Sequence, residues 1–300
     1  QRVGEMFKPF GGRTVPMVVM SHQYFLTEEI AEVAAWTKDK GHKLPIIRDV
    51  DISYYLRQDK SGLNLGPYER NCKAHWITPE DPMPEDFSFQ LYPDDFVFFA
   101  NEVPDLPMGR ETIEKYLKLG AVGIGEQKFE LECDSRPLEM VAELAGEYQV
   151  PVLIHFQYNA YNTSLHRFHK VLEKFPNTNF IGHAQTWWGN IDRKHDQKVM
   201  YPTGPVVTGG ITDRLLSDYP NMFGDLSAGS GLNSLKRDED HTRGFLGRHQ
   251  DKLLYGSDCN DILGRGPGCQ GSETIKTVME LSADKEIRSK IFHRNASRLL

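Results

Sequence analysis

Three residues that can bind a metal ion each lie at the end of a short apolar run. His155 lies in VPVLIHF, His183 in NFIGHA and Asp258 in KLLYGSD. Neutral imidazole and carboxylate groups bind divalent cations, and ligands from separate strand ends can form an open site with room for water. A single histidine is more simply explained by a hydrogen bond in the core. Three such residues at equivalent positions favour a metal site.

The elements that must position these residues form a regular series from about Val97 to the end of the chain. Near-continuous apolar strands that alternate with amphipathic helices indicate a parallel sheet covered by helices. In a (β/α) barrel, the active site lies at the carboxyl ends of the strands. Strands are predicted at 97–100, 121–129, 150–156, 179–184, 222–227 and 252–258. With about six of eight units present, the predicted fold class is α/β, an incomplete (β/α)8 TIM-type barrel.

Four further residues lie close enough to these strand ends to contact the site or a substrate. Glu126 and Asp225 lie near the carboxyl ends of predicted strands, Lys128 is two positions after Glu126, and Trp187 follows the strand that carries His183. For Glu126, an ion pair with Lys128 or with a neighbouring loop is an equal alternative. For Trp187, aromatic packing of its loop is an equal alternative.

Residues 1–96 have a different pattern, which is typical of a mainly β segment with an α+β fold. Strand-like stretches surround one predicted helix, Glu28–Lys40, and the turn from Asp59 to Gly62 indicates a hairpin. A proline-rich connector follows, and we expect a domain boundary between residues 96 and 97. The predicted domains are therefore 1–96 and 97–300.

The composition narrows the range of partners. A net charge of -7 and the absence of runs of like charge argue against nucleic acid and anionic membranes, and favour a small-molecule substrate. The four cysteines have no C-x-x-C spacing, which predicts reduced thiols and a cytoplasmic location. The chain begins with Gln1 rather than Met, and we expect it to be a fragment.

Six pieces in the same order resemble the amidohydrolase superfamily, in particular its branch that includes aminocarboxymuconate-semialdehyde decarboxylase. They are GAVGIGEQKF, PVLIHF, FPNTNFIGHA, NMFGDLS, LLYGSDC and RNASRLL. The resemblance implies a metal-dependent hydrolase or decarboxylase of a small organic substrate, with zinc as the expected metal. It implies that His155 and Asp258 bind the metal, that Asp258 also moves a proton, and that His183 polarises a substrate carbonyl.

One family feature is absent from the sequence. The first strand of the family carries a His-x-His pair, yet none of the eleven histidines lies two positions from another. We therefore expect a barrel that lacks its first two strands and has an impaired metal site, since catalytic zinc normally has three protein ligands. The exposed edges of such a barrel also favour a homo-oligomer.

The N-terminal segment resembles an internal part of FAD-dependent dehydrogenases of the dimethylglycine and sarcosine type. The stretches that carry this resemblance are VPMVVMSHQYFLTEEI, LPIIRDVDISYYLRQDKSGLNLGPYE and FSFQLYPDD. The chain has no G-x-G-x-x-G turn after an initial strand, and the Gly-rich stretch 264–271 follows the Asp258 loop and contains a proline. We therefore assign no cofactor-binding residues and expect no FAD in this chain alone. A metal-dependent hydrolase, an FAD-dependent oxidoreductase and an inactive fusion fragment all remain open.

Overall fold

The structure is a computed structural model that describes residues 97–259 and 268–300. Of the N-terminal segment it describes Lys38, which is helical, and the backbone of four short strands. The chain divides into two compact units, one of which is Met20–Asp94.

The N-terminal unit contains an antiparallel sheet of four strands in the order β1-β4-β3-β2. The strands are β1 (Phe25–Leu26), β2 (Ile47–Asp49), β3 (Tyr54–Asp59) and β4 (Gly62–Leu65). Asp59 pairs with Gly62, which confirms the predicted hairpin. Apart from Lys38, the predicted helix at 28–40 lies outside the described residues, as does the proline-rich connector.

The C-terminal unit contains a parallel sheet of five strands in chain order. The strands are β5 (Ile124–Gln127), β6 (Val152–His155), β7 (Phe180–His183), β8 (Met222–Asp225) and β9 (Leu253–Leu254). Ala100 forms a parallel bridge with Ile124, so segment 97–100 lies beside β5 as a sixth extended piece. The predicted α/β fold with an incomplete barrel is confirmed.

Helices connect the strands and cover one face of the sheet. They are α1 (Gly109–Lys118), α2 (Arg136–Tyr148), α3 (His169–Lys174), α4 (Gln185–Gly189), α5 (Ile211–Asp218), α6 (Ala228–Lys236), α7 (Glu239–Arg248), α8 (Gln270–Leu281), α9 (Lys285–Ser289) and α10 (Asn295–Leu299). Gly120, two positions after the end of α1, has a left-handed φ of 102°, a conformation that favours glycine after a helix. Among the described residues, no helix is long and apolar enough to cross a membrane.

The sequence from Ser164 to Phe175 predicts one helix, and this prediction was wrong. A 3₁₀ turn, Leu165–Arg167, precedes α3, and Ser164 has a left-handed φ of 68°. The junction places Phe168 in edge-to-face contact with Phe156 and Phe180, with ring centroids 5.1 and 5.4 Å apart. Over so few residues, an apolar pattern does not distinguish a period of about 3.0 from one of about 3.6.

Strand alternation places the candidate residues on the face of the sheet opposite to most of the helices. One cluster on that face contains Leu153, Ile181, Phe223 and Leu254, against which Phe99, Ala296 and Leu299 pack. Successive side chains of a strand point to opposite faces, so residues two positions apart share a face. His155, His183 and Asp225 follow three of these cluster residues by two positions and therefore lie on the same face, at the carboxyl ends of the strands.

Candidate functional site

The two strand-end histidines are directly opposite each other on neighbouring strands. His155 on β6 pairs in register with His183 on β7, and their ring centroids are 5.4 Å apart. Both side chains are buried, as is every residue of the two strands. The apolar sequence of these strands therefore fixes the spacing of the two imidazoles before any ligand binds.

Glu126, near the end of β5, completes a group of three residues that could hold a metal ion. Its Oε1 atom is 2.5 Å from His155 Nδ1 and 3.5 Å from His183 Nε2. One ligand atom from each of Glu126, His155 and His183 lies within 4.8 Å of the other two. The sequence predicts Glu126 near the site, and the structure places it beside both histidines rather than in an ion pair with Lys128.

Asn162 ties the ends of β5 and β6 together. Its Nδ2 atom donates to the carbonyl of Gln127, at 2.7 Å, and to that of His155, at 2.9 Å. The pairing of β5 with β6 shifts register between Ile124 and Gln127, where these side-chain bonds are made. Sequence reasoning missed Asn162, because an asparagine in a polar loop carries no signal of the two strands that it joins.

Asp225, at the end of β8, orients His183. Its Oδ2 atom lies 2.9 Å from His183 Nδ1, and the side chain is fully buried. Ser227 donates its hydroxyl to the same carboxylate and its backbone N–H to Oδ1, at 3.1 Å. With Nδ1–H donating to Asp225, Nε2 faces Glu126 and would offer its lone pair to a metal ion once its proton has left, as in a histidine whose outer partner orients it toward a metal.

Asp258 lies beside this group and is not one of the three clustered ligands. Its Oδ2 atom is 3.8 Å from His183 Nε2, and 41% of its side chain is exposed. Partial burial raises the pKa of Asp258 to about 6; the His183 charge opposes the rise and the carboxylates of Glu126 and Asp225 add to it. This carboxyl is the group at the site that can exchange a proton near neutral pH.

The other ionisable groups of the site shift in opposite directions. Burial tends to raise the pKa of Glu126, but the hydrogen bond from His155 and the charge of His183 lower it to about 2. Burial lowers the pKa of His155, and this effect is larger than the rise caused by the Glu126 carboxylate. Burial also opposes protonation of His183, yet Asp225 and Glu126 raise its pKa to about 9. The Glu126 carboxylate therefore stays ionised at neutral pH and attracts positive charge.

Two residues of the predicted set lie apart from the cluster, and two unpredicted ones lie against it. Trp187 is fully buried in the layer between sheet and helices, stacked on Phe156 at 5.9 Å. Lys128 is exposed and lies 5.7 Å from the ring of Tyr161. Tyr161 in turn meets His155 edge to face, and Gln157 Oε1 lies 3.0 Å from His155 Nε2.

The donor set fits a divalent cation. Two imidazoles and one carboxylate form a ligand set that is common in catalytic zinc sites, where three protein ligands leave a position for water or substrate. Two ligands on bonds of about 2.1 Å to one ion lie roughly 3.4 Å apart, close to the 3.5 Å between Glu126 and His183. The shorter contact of Glu126 with His155 is a hydrogen bond whose proton must leave when a metal ion binds.

Comparison with known proteins assigns the family. A family model described as "Amidohydrolase" (Amidohydro_2) matches residues 88–300, more than half of the chain. The chain belongs to the amidohydrolase family. The amidohydrolase match contains β5 to β9 and every residue of the candidate site.

Two solved structures are similar to part of this amidohydrolase chain. A 2,6-dihydroxybenzoate decarboxylase from Rhizobium is 16% identical with a TM-score of 0.47, and covers 71% of this chain and 73% of that one. A 5-carboxyvanillate decarboxylase from Sphingomonas paucimobilis is 12% identical with a TM-score of 0.43, and covers 71% and 68%.

A segment of about a third of the chain also matches two mitochondrial dehydrogenases. It is 37% identical over 99 residues to mitochondrial dimethylglycine dehydrogenase of Mus musculus, which is 32% of this chain and 10% of that protein. Mitochondrial sarcosine dehydrogenase of the same species is 32% identical over 102 residues, 34% of this chain and 9% of that protein. The chain spans about a tenth of the length of these curated relatives.

Proposed function

We propose that this amidohydrolase is a metal-dependent hydrolase or decarboxylase of a small organic substrate. The observation that carries the proposal is the convergence of Glu126, His155 and His183, whose ligand atoms lie within 4.8 Å of one another. Two imidazoles and a carboxylate favour zinc among the common divalent cations. The site thus acquires three ligands without a His-x-His pair, because Glu126 and His183 join His155.

A divalent cation held by these three residues would supply Lewis acidity and would lower the pKa of water toward about 7. Asp225 keeps the His183 ring in position by accepting the hydrogen bond from His183 Nδ1. Asp258, whose pKa is about 6, is ionised at neutral pH and can accept a proton at Oδ2 and return it to a leaving group or a carbanion. We therefore assign Asp258 to proton transfer. The resemblance to the family implies that Asp258 also contacts the metal ion.

An activity assay tests this function. Zinc-loaded and manganese-loaded protein would be incubated with 2,6-dihydroxybenzoate, to detect released carbon dioxide, and with a small chromogenic ester, to detect hydrolysis. We expect turnover in one arm and a loss of at least about 100-fold in Asp258→Asn, because general acid–base catalysis contributes about 10²–10⁴-fold. Asp251→Asn, an exposed change seven positions away, is the matched control and should retain activity. Equal activity in the two variants would contradict the role of Asp258.

The other predictions from the sequence are tested separately. The oxidoreductase alternative is supported by a match that spans a tenth of each dehydrogenase, and flavin absorbance of the purified protein would favour it. A tryptic peptide that spans 90–110 would show that the two predicted domains are joined in one polypeptide. The absence of that peptide would favour an artefact of sequence assembly. The cytoplasmic location and the homo-oligomer remain predictions.

A further inference from the structure

Two cysteines lie side by side next to the proton-transfer carboxylate. The Sγ atoms of Cys259 and Cys269 are 3.5 Å apart. Cys259 is half-buried and directly follows Asp258, whereas Cys269 is buried. Both are thiols in the structure, ten positions apart along the chain.

The packing of this region keeps the two sulfurs close together. Cys269 is the N-cap of α8, where its sulfur accepts the backbone N–H of Ser272 at 3.4 Å. The first turn of α8 is in close contact with the segment before Asp258, since a Cβ atom at Gly271 would lie 2.7 Å from Ser257 Cβ. Tyr255 donates its hydroxyl to the carbonyl of Gly271 at 3.3 Å. The pair is therefore fixed by contacts on both sides.

We propose that Cys259 and Cys269 form a reversible disulfide at the edge of the active site. A disulfide bond is about 2.05 Å long, so the sulfurs must approach by about 1.5 Å, a shift that side-chain rotation can supply. The oxidant is a low-molecular-weight disulfide. The thiolate of Cys259, the more exposed of the two, attacks it and releases one thiol, and the thiolate of Cys269 then attacks the Cys259 sulfur and releases the second. One disulfide is consumed, and two thiols are formed.

The bond would tie the backbone beside Asp258 to the start of α8. Asp258 has a left-handed φ of 40°, and its carboxylate is 3.8 Å from His183 Nε2. A bond at the next residue restricts the movement by which this carboxylate reaches the metal position. This consequence for catalysis rests on the proposed function, whereas the chemistry of the two sulfurs does not.

Cys133 is an internal comparison. Its sulfur is fully buried and donates to the carbonyl of Ser164 at 3.1 Å. Burial raises the pKa of the Cys133 thiol to about 12, so that almost no reactive thiolate exists at neutral pH. Cys133 should therefore stay unmodified under conditions that join the other pair.

Peptide mapping tests the proposal without any activity assay. Trypsin cleaves after Lys252, Arg265 and Lys276, which puts the two cysteines on separate peptides, 253–265 and 266–276. The full chain would be incubated with oxidised glutathione, blocked with iodoacetamide and digested without reductant. We expect one species in which the two peptides are joined, with about 2 Da less than their sum, that separates on adding dithiothreitol. Cys133→Ser should give the same joined species.

Three results would overturn the proposal. They are two separate peptides that each carry glutathione, two separate peptides that carry only iodoacetamide, and a joined species that also forms in Cys259→Ser. The experiment measures the mass of covalently joined peptides, so its result does not depend on metal binding or turnover.

Discussion

At the residue scale, the candidate site gains its third ligand from a residue that sequence reasoning placed only nearby. His155, His183 and Asp225 could be predicted to meet, because apolar strands of fixed period bring their carboxyl-end residues to one face. The contact of Glu126 with His155, at 2.5 Å, could not be predicted, because it depends on a register shift between β5 and β6. Without a His-x-His pair, the candidate site still brings together three residues that could hold a metal ion.

Asp225→Asn should weaken metal binding while the fold is kept. The amide cannot offer His183 Nδ1 the charged acceptor that Asp225 provides at 2.9 Å. Removal of such an outer partner typically lowers metal affinity by about 10–100-fold. Competition titration with a chromogenic zinc chelator would measure the change in affinity.

Asp213→Asn is the matched control for that titration. Asp213 is also buried and also pairs with a histidine, His249, at 2.5 Å, but it is not part of the three-ligand group. We expect its zinc affinity to equal that of the wild type. If both variants lose affinity to the same extent, the effect is one of general destabilisation, and the assigned role of Asp225 is wrong.

At the scale of elements, a glycine lets α4 pack directly against β7. A Cβ atom at Gly182 would lie 2.4 Å from Trp187, a residue of α4 that is fully buried. Gly182 immediately precedes His183, so this contact also sets the position of the ligand. The sequence predicted a strand here, but not the tryptophan that requires a glycine.

Gly182→Ala should destabilise the protein by about 1–3 kcal/mol, the usual effect of added volume in a packed core. Chemical denaturation would measure the loss in the free energy of unfolding. Gly247→Ala is the control, since the helical Gly247 has nothing within 4 Å of the added Cβ. That change should be neutral or stabilise by up to about 1 kcal/mol. Equal losses in the two variants would refute the contact.

At the scale of the whole molecule, the apolar strand pattern was sufficient to predict the parallel sheet. All six predicted strand segments lie in the described sheet or pair with it, and their ends carry the candidate residues. Helix boundaries and the 3₁₀ turn at 165–167 could not be read from the sequence, because tertiary contacts around Phe168 determine them. The match of the amidohydrolase model from residue 88 onward agrees with this pattern.

The acid stability of the C-terminal unit should depend on Asp213, which joins α5 to α7. Burial tends to raise the pKa of Asp213, but hydrogen bonds from His249 and Arg248 lower it below 3.8. A carboxyl with a lowered folded pKa stabilises the fold above its unfolded pKa, and this stability is lost as the pH falls through the folded pKa. Asp213→Asn should therefore cost about 1.5–3 kcal/mol at neutral pH and less near pH 3.

Urea unfolding of wild type and Asp213→Asn, at about pH 6 and about pH 3, would measure that difference. The gap in the free energy of unfolding should shrink at the lower pH. A gap of the same size at both pH values would show that the Asp213 carboxylate does not contribute through its charge.

The metal content of the purified chain tests the central claim most directly. The protein would be dialysed against zinc, freed of excess metal and assayed by elemental mass spectrometry, beside Glu126→Ala and the exposed control Glu130→Ala. We predict about one zinc ion per chain in the wild type and in the control, and a loss of most of it in Glu126→Ala, because the carboxylate is one of the three ligands. A metal-free wild type, or full zinc content in Glu126→Ala, would contradict the account.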